Sequence, residues 1–370
     1  MSTVNPPFRA DHVGSLLRPP ALLAARERYF DGEIPAEELR AVENEAIIEA
    51  IKKQEAAGLK SITDGEFRRT YFHVDFLEKL QGVAVSGGIE VKFRSKEGEV
   101  NFAPPRLAVT GKLRHAQDIQ VGDFKFVQAH TNETPKMTIP SPTMVHFRGG
   151  RKAIDIDAYP DMDASFADLA QVYRAEVDAL YDAGCRYLQL DDTNLAYLCD
   201  PQIREGARRR GEDPDELPHT YAALINDVIA GRPQDLTVAV HMCRGNFRSA
   251  WVAEGSYEPV ADVLFNEMNV DAFFMEYDDE RSGDFAPLRF VPADKTVVLG
   301  LVTTKVGELE SQEALIRRVH EAAAYMPLEN ICLSPQCGFS STVHGNKITR
   351  EQQWAKLELV VDTARRIWEE

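Results

Sequence analysis

The chain has 370 residues, 44% of them hydrophobic, and a formal net charge of −17. The length suits a single α/β barrel with a sizeable core, and the charge argues against nucleic acid or an anionic membrane surface as partner. No apolar run approaches the ~18 residues of a membrane span, so no spanning helix is expected.

The N-terminal stretch "MSTVNPPFRADH" lacks an apolar signal core, so a cytoplasmic address is expected. "DHVGSL" (11–16) reads as a first strand. "LRAVENEAIIEAIKKQEAAG" follows, with Leu39, Val42, Ile47, Ile48 and Ile51 on roughly one helical face and Gly58 as its stop. "SITDGE" (61–66) is a second strand. Residues 83–130 break the βα rhythm. "VAVSGGIEVKFRSKEGEVNF" alternates and is rich in turn residues, so it reads as a hairpin insertion, with "LAVTGKLRH" and "FKFVQAHT" extending it, as a lid or an oligomer contact.

"MTIPSP" (137–142) resumes the strands. "SFADLAQVYRAEVDALYDAG" is a helix with Ser165 as N-cap and Gly184 as stop, carrying Leu169, Val172, Tyr173, Val177 and Leu180 inward. "YLQLDD" (187–192), "TVAVHMC" (237–243), "AFFMEYD" (272–278), "TVVLGLV" (296–302) and "ICLSPQC" (331–337) complete eight strands. "REGARRRGEDPDELPH" (204–219) reads as a solvated loop. Eight strands alternating with helices predict an α/β fold, a single (β/α)8 TIM barrel spanning 1–370, with the 83–130 insertion between strands 2 and 3.

In such a barrel the functional groups gather at the C-terminal strand ends. His241 and Cys243 are two apart on a strand and share a face. With Cys337 they offer one imidazole and two thiolates, a set that suits zinc better than magnesium or calcium. A fourth ligand is a carboxylate or water; Glu276, ending "AFFME", is the best carboxylate and Glu267 the alternative. The plain alternative makes both cysteines small buried hydrophobes and His241 a satisfied core histidine. Five cysteines are an odd number and read as thiols or ligands rather than a disulfide framework. No CxxC knuckle is present, so the site reads as chemical rather than structural. Zinc acidifies a coordinated thiol, and thiolate attack on carbon is then the natural reaction.

These residues, with "HVGSLLRP", "DGEF", "LQLDD" and "SPQCGF", resemble the catalytic domain of cobalamin-independent methionine synthase. The resemblance covers the whole chain in motif order. It implies zinc on His241, Cys243, Glu276 and Cys337. It also implies that Ser15, Glu66 and Asp191 hold the amino acid part of homocysteine, the two carboxylates taking its ammonium group. Two acidic groups at a pocket mouth suit a cation; the alternatives are an acid/base pair or a salt bridge to Arg68 or Arg69. Asp192, next to Asp191, faces the other way on a strand.

The chain departs from the family pattern in places. It has room for one barrel where full-length synthases carry a second that helps bind folate. After the seventh strand, Thr303, Thr304 and Lys305 stand where the family has aspartate and histidine. "SPTMVHFRGG" lacks the tryptophan associated with folate stacking. These changes resemble the short single-barrel relatives, similar in turn to epoxyalkane:coenzyme M transferases. His12, Arg18, His73, Arg244, Asn246 and Lys305 are candidates for handling the second substrate, Lys305 as an acid or a neutraliser of the leaving group and His12 beside Ser15. The expected reaction is methyl transfer from a donor, folate or another, to a small-molecule thiol. Thiol addition to an epoxide is the alternative, and a metal-water lyase or hydrolase a more distant one.

Overall fold

The computed structural model describes residues 5–88, 91–95 and 98–369. Residues 1–4 and 370 of the expected domain, and 89–90 and 96–97 of the expected insertion, lie outside them. The strands in chain order are β1 (Ser61–Ile62), β2 (Gln81–Gly88), β3 (Val91–Ser95), β4 (Gly98–Phe102), β5 (Pro105–Arg114), β6 (Thr134–Pro135) and β7 (Met137–Pro140). They continue with β8 (Tyr187–Asp192), β9 (Thr237–Met242), β10 (Ala272–Glu276), β11 (Thr296–Val302) and β12 (Ile331–Pro335).

A six-stranded parallel sheet runs in the order β12-β11-β10-β9-β8-β7. Its strands are rich in β-branched and other apolar residues and are buried almost throughout, as expected for a parallel sheet covered by helices. Of the eight expected strands, six stand in this sheet. "SITDGE" contributes only the two-residue β1, paired in parallel with β6. "DHVGSL" forms no strand; the chain touches β12 through one parallel bridge, Ala10 to Leu333. The reason is local. Gly14 has φ +135° and Gly65 φ +67°, and these turns end the extended backbone early.

The helices cover the sheet through the faces their periodicity marks. In the helix Met162–Asp182, Leu169, Val172, Tyr173, Val177 and Leu180 are all buried. Its cap is Asp161, whose carboxylate accepts from Asp163 N–H, so Ser165 lies inside the helix rather than capping it. The helix Ala36–Ala56 stops just before Gly58, which has φ +91°. Among the described residues no helix is long and apolar enough to cross a membrane.

The excursion after β1 is antiparallel: β2 pairs with β5, and β3 with β4. Its Leu107, Val109 and Leu113 join the main core, while Phe93 packs against Phe247 and Ala250. The "FKFVQAHT" stretch does not extend the hairpin. It lies largely in the helix Val121–Gln128, because Phe124 and Val127, three apart, bury one face. The charged stretch from 204 is likewise partly helical. Asp200 caps the helix Pro201–Arg209 by accepting from Gln202 and Ile203 N–H.

Candidate metal centre

Strands β9, β10 and β12 of the one parallel sheet, with β11 between the last two, deliver the chemistry. His241 is on β9, in register with Asp191 of β8 and Phe274 of β10. Cys243 follows β9, its N–H donating to Asp192 O at 2.7 Å. Glu276 ends β10 and Cys337 follows β12 by two residues. One ligand atom from each of these four residues lies within 4.8 Å of all the others, and all four are buried.

The two sulfurs are 3.5 Å apart. That is far beyond the ~2.05 Å of a disulfide and close to the about 3.8 Å between two thiolates on one tetrahedral zinc with ~2.3 Å bonds. All five cysteines are free thiols. Both ring nitrogens of His241 are buried without an oxygen or nitrogen hydrogen-bond partner, the Cys243 sulfur being the neighbour they face. A satisfied core histidine would have found one; an imidazole waiting for a metal would not. The donor set of one imidazole, two sulfurs and a carboxylate therefore fits zinc.

The carboxylate is held from outside. Glu276 Oε1 accepts from Arg244 N–H and Asn246 Nδ2, each at 2.8 Å, and Oε2 from Arg281 Nη2 at 3.3 Å. The Cys337 thiol beside it holds the Cys243 thiol well below its ordinary pKa, against the opposing effect of burial. Cys337 correspondingly keeps its proton. Glu276 is pushed up by burial first and by Cys243 second.

Ser15, Glu66, Asp191 and Asn246 line one pocket with His241, Cys243 and Cys337. Glu66 sits at φ +56°, a left-handed conformation that non-glycine residues seldom adopt. Its N–H is fixed by Asp64 Oδ1 at 2.7 Å, and its Oε2 accepts from Arg69 Nε at 2.5 Å. The anticipated salt bridge to Arg69 and the placement at the pocket thus coexist. Asp191 accepts from Gln189 Nε2 at 2.7 Å, and burial, then the Glu66 charge, push its carboxyl up to about 7. Asp192 turns away, as the strand geometry requires, to accept from Thr143 Oγ1 at 2.5 Å and Leu195 N–H at 2.8 Å.

Two glycines permit the pocket. A Cβ on Gly245 would lie 2.1 Å from the Tyr197 hydroxyl, and one on Gly338 would lie 1.9 Å from Ser15 Oγ.

His73 and Asn246 line the pocket too, whereas His12, Arg18, Arg244 and Lys305 do not. His12 is buried with Nε2 against Ser61 O at 2.9 Å, and burial, then Lys136, lower its pKa to about 4. Arg18 spends its guanidinium on Glu66 O, Arg69 O and Ser340 Oγ, which fixes the turn carrying Glu66. Lys305 lines a different cavity and is bonded to Asp278 at 2.5 Å, because the buried Asp278 takes its charge. Arg244 is buried over the Tyr257 ring, 4.4 Å from its centroid. Glu267 is not in the quartet and pairs with His219. Asn246 reaches the pocket, but its amide is spent on Glu276 and, at 3.5 Å, on Cys243 Sγ.

Sequence reasoning missed the pocket's aromatic wall. Phe102 stacks on Phe247 at 4.2 Å between centroids and 14° between planes, with Phe93 at 5.1 Å from Phe247. Tyr71 and Arg148 line the same pocket. The one hint in the sequence is that Phe93 and Phe102 interrupt a polar, turn-rich stretch.

Residues 8–366 match the model of the cobalamin-independent synthase catalytic domain. The chain belongs to this family. Among the family's relatives, the uncharacterized protein YxjH of Bacillus subtilis (strain 168) is 49% identical over 365 residues, which are 98% of this chain and 95% of that protein. A solved structure from Listeria monocytogenes is 39% identical, covers 100% of both chains and gives a TM-score of 0.79. A B12-independent methionine synthase from Shewanella sp. W3-18-1, solved in complex with selenomethionine, is 20% identical, covers 98% of both chains and gives 0.74. At that identity the likeness speaks for the α/β fold.

Proposed function

We propose that the protein is a zinc-dependent S-methyltransferase that methylates a small-molecule thiol, homocysteine, to form methionine. One observation carries the reading: His241, Cys243, Glu276 and Cys337 converge, and three of them, His241, Cys243 and Cys337, line the pocket that also holds Glu66 and Asp191. Family membership and a relative solved with selenomethionine support it. When bound, zinc supplies the acidity that turns the substrate thiol into a nucleophile at neutral pH. Glu66 and Asp191 would bind the substrate ammonium group, and Ser15 its carboxylate. Asn246 and the Arg244 N–H hold Glu276 in place. The substrate sulfur forms the new bond to carbon, and the donor keeps the electron pair of the bond that breaks. Holding both partners fixed removes much of the entropic barrier.

Thiol addition to an epoxide is disfavoured by the acidic pair, which suits the ammonium group of an amino acid thiol and repels a sulfonate; the nearby Arg69 is already taken by Glu66. For the fold, we read the β1·β6 pair and the Ala10 bridge as the short strands that close an eight-stranded barrel with one domain and one insertion. We expect a cytoplasmic address, a reducing setting in which the five cysteines stay free thiols.

Cobalt-substituted protein tests the reading. Homocysteine should shift its thiolate-to-metal absorption band, and methionine should form when methyl donors are screened. A band that answers only to hydroxide would favour the hydrolytic alternative.

A further inference from the structure

We propose that Arg281 is a positioning residue of the metal centre: braced by the Trp251 ring, it holds the Glu276 carboxylate from behind and, with Arg244, balances a site that carries more negative charge than one zinc ion cancels. The inference rests on the zinc reading above and assigns a role to buried charges that stand behind the pocket.

The need for such charge follows from the donor set. Metal ligation takes cysteine as thiolate and glutamate as carboxylate, so Cys243, Cys337 and Glu276 bring three negative charges against the two positive charges of zinc. A substrate thiolate widens that deficit. All four ligands are buried, where a charge left uncompensated is costly. The pocket side supplies no surplus: among the described residues lining it, Glu66 and Asp191 match Arg69 and Arg148.

Behind Glu276 the balance is different. The side chains of Arg281, Lys305 and Asp278 are buried there, and Arg244 is fully buried. That is three cations against one anion, with the more exposed Asp279 at the rim. Arg281 Nη2 donates to Asp278 Oδ1 at 2.8 Å and to Glu276 Oε2 at 3.3 Å, and its Nε donates to Asp279 Oδ1 at 2.7 Å. Its Nη1 is buried without a partner among the described residues, as are all three guanidinium nitrogens of Arg244. Arg244 lies instead over the Tyr257 ring, whose hydroxyl accepts from Glu276 N–H at 3.0 Å. A guanidinium cannot lose its charge in a protein. Glu276 is the metal ligand that both arginines touch, Arg244 through its backbone N–H and Arg281 through Nη2.

Trp251 fixes the brace. The Arg281 guanidinium lies 4.8 Å from its ring centroid, within cation–π range. The ring is itself held, because the indole N–H donates to Glu254 Oε1 at 2.8 Å and the Trp251 backbone pairs with Arg94. Arg281 O accepts from Gly255 N–H at 2.8 Å, which ties the arginine's turn to the segment that follows Trp251. Trp251 is neither in the metal quartet nor on the wall of its pocket. An effect of this ring on metal binding would therefore pass through Arg281.

Zinc affinity of the full chain, measured by competition with a chromophoric chelator, tests the assignment without needing turnover. Arg281→Gln should weaken zinc binding about 10–100-fold. The thiolate-to-metal band of its cobalt form should keep its intensity, since both sulfurs stay. Trp251→Leu should weaken zinc binding about three- to tenfold, whereas Trp251→Phe, which keeps a ring face, should stay within about twofold of the parent. Adding Trp251→Leu to Arg281→Gln should cost nothing further, because the ring then has no cation to hold. Unchanged affinity in Arg281→Gln or in Trp251→Leu, loss of the thiolate band in Arg281→Gln, or full additivity of the two would overturn the proposal. Should Arg281→Gln fail to fold, the two Trp251 variants decide alone. If the parent chain binds no zinc, the metal reading itself fails; if it binds zinc and Arg281→Gln binds it as tightly, the positioning role alone fails.

Discussion

The floor and the wall of the pocket are built in opposite ways. The floor is made by parallel strands β8 to β12, held in register by their sheet neighbours, with the edge strand β12 touched on its outer side by the Ala10 bridge. There a one-residue change in position would turn a ligand to the other face. The wall is made by the β3–β4 hairpin, which reaches Phe247 through two backbone bonds between Arg94 and Trp251, of 2.6 and 2.9 Å, and through ring contacts. The floor offers fixed geometry for a metal; the wall offers shape that can vary with the partner it faces. Chemistry and specificity are thereby assigned to separate elements.

The division can be broken most sharply at the floor. Cys243→Ser should lose bound zinc and lower turnover by on the order of 10³-fold or more, since a hard oxygen replaces a thiolate. Metal content by emission spectroscopy checks the first part; full zinc content with full activity would refute the floor's role. Next, Glu66→Gln should raise KM for the amino thiol about 10–100-fold, through loss of a charge-assisted bond of ~1.5–3 kcal/mol, with zinc content unchanged. Steady-state kinetics with varied homocysteine decides it. Phe102→Ala sharpens the other side of the comparison. It should leave zinc content and the homocysteine-dependent cobalt band intact while weakening the hairpin's attachment, by about 1–2 kcal/mol of ring stacking and burial. Faster proteolysis within 81–114 would report it.

How much of this could be read from residues alone follows the same division. His241, Cys243, Glu276 and Cys337 were legible because each stands at the end of an apolar run, and a parallel barrel gathers such ends. Lys305 stands just past β11 by the same logic, yet it turns to Asp278 in another loop, and no spacing foretells that ion pair. His12 and Arg18 flank Ser15 in sequence, but the positive-φ turn at Gly14 sends Ser15 to the pocket and its neighbours elsewhere. Two of the expected strands came out shorter than read for a related reason: glycines at 14 and 65 turn the backbone within stretches that composition alone makes look fully extended. The aromatic wall joins Phe102 to Phe247 across a long sequence separation, and hydrophobic period carries no such information.

The smallest expected effect concerns the turn that presents Glu66. Burial first, then Asp123, raise the Asp64 carboxyl to about 6, above its unfolded value of ~3.9. The folded state therefore disfavours the ionised form, and stability is lost as pH rises from about 4 to about 6. Asp64→Asn keeps the oxygen that accepts from Glu66 N–H and should stabilise the protein by about 1–2 kcal/mol at pH 7, with the gain vanishing near pH 4. Thermal midpoints at the two pH values check the sign; a gain larger at pH 4 would contradict it.

X-ray absorption on the zinc-loaded protein tests the central claim most directly. One zinc per chain is expected, with two sulfur neighbours at about 2.3 Å and lighter N or O neighbours at about 2.0–2.2 Å, rising to three sulfurs when homocysteine is added. A spectrum without sulfur neighbours, or one that homocysteine leaves unchanged, would contradict the account.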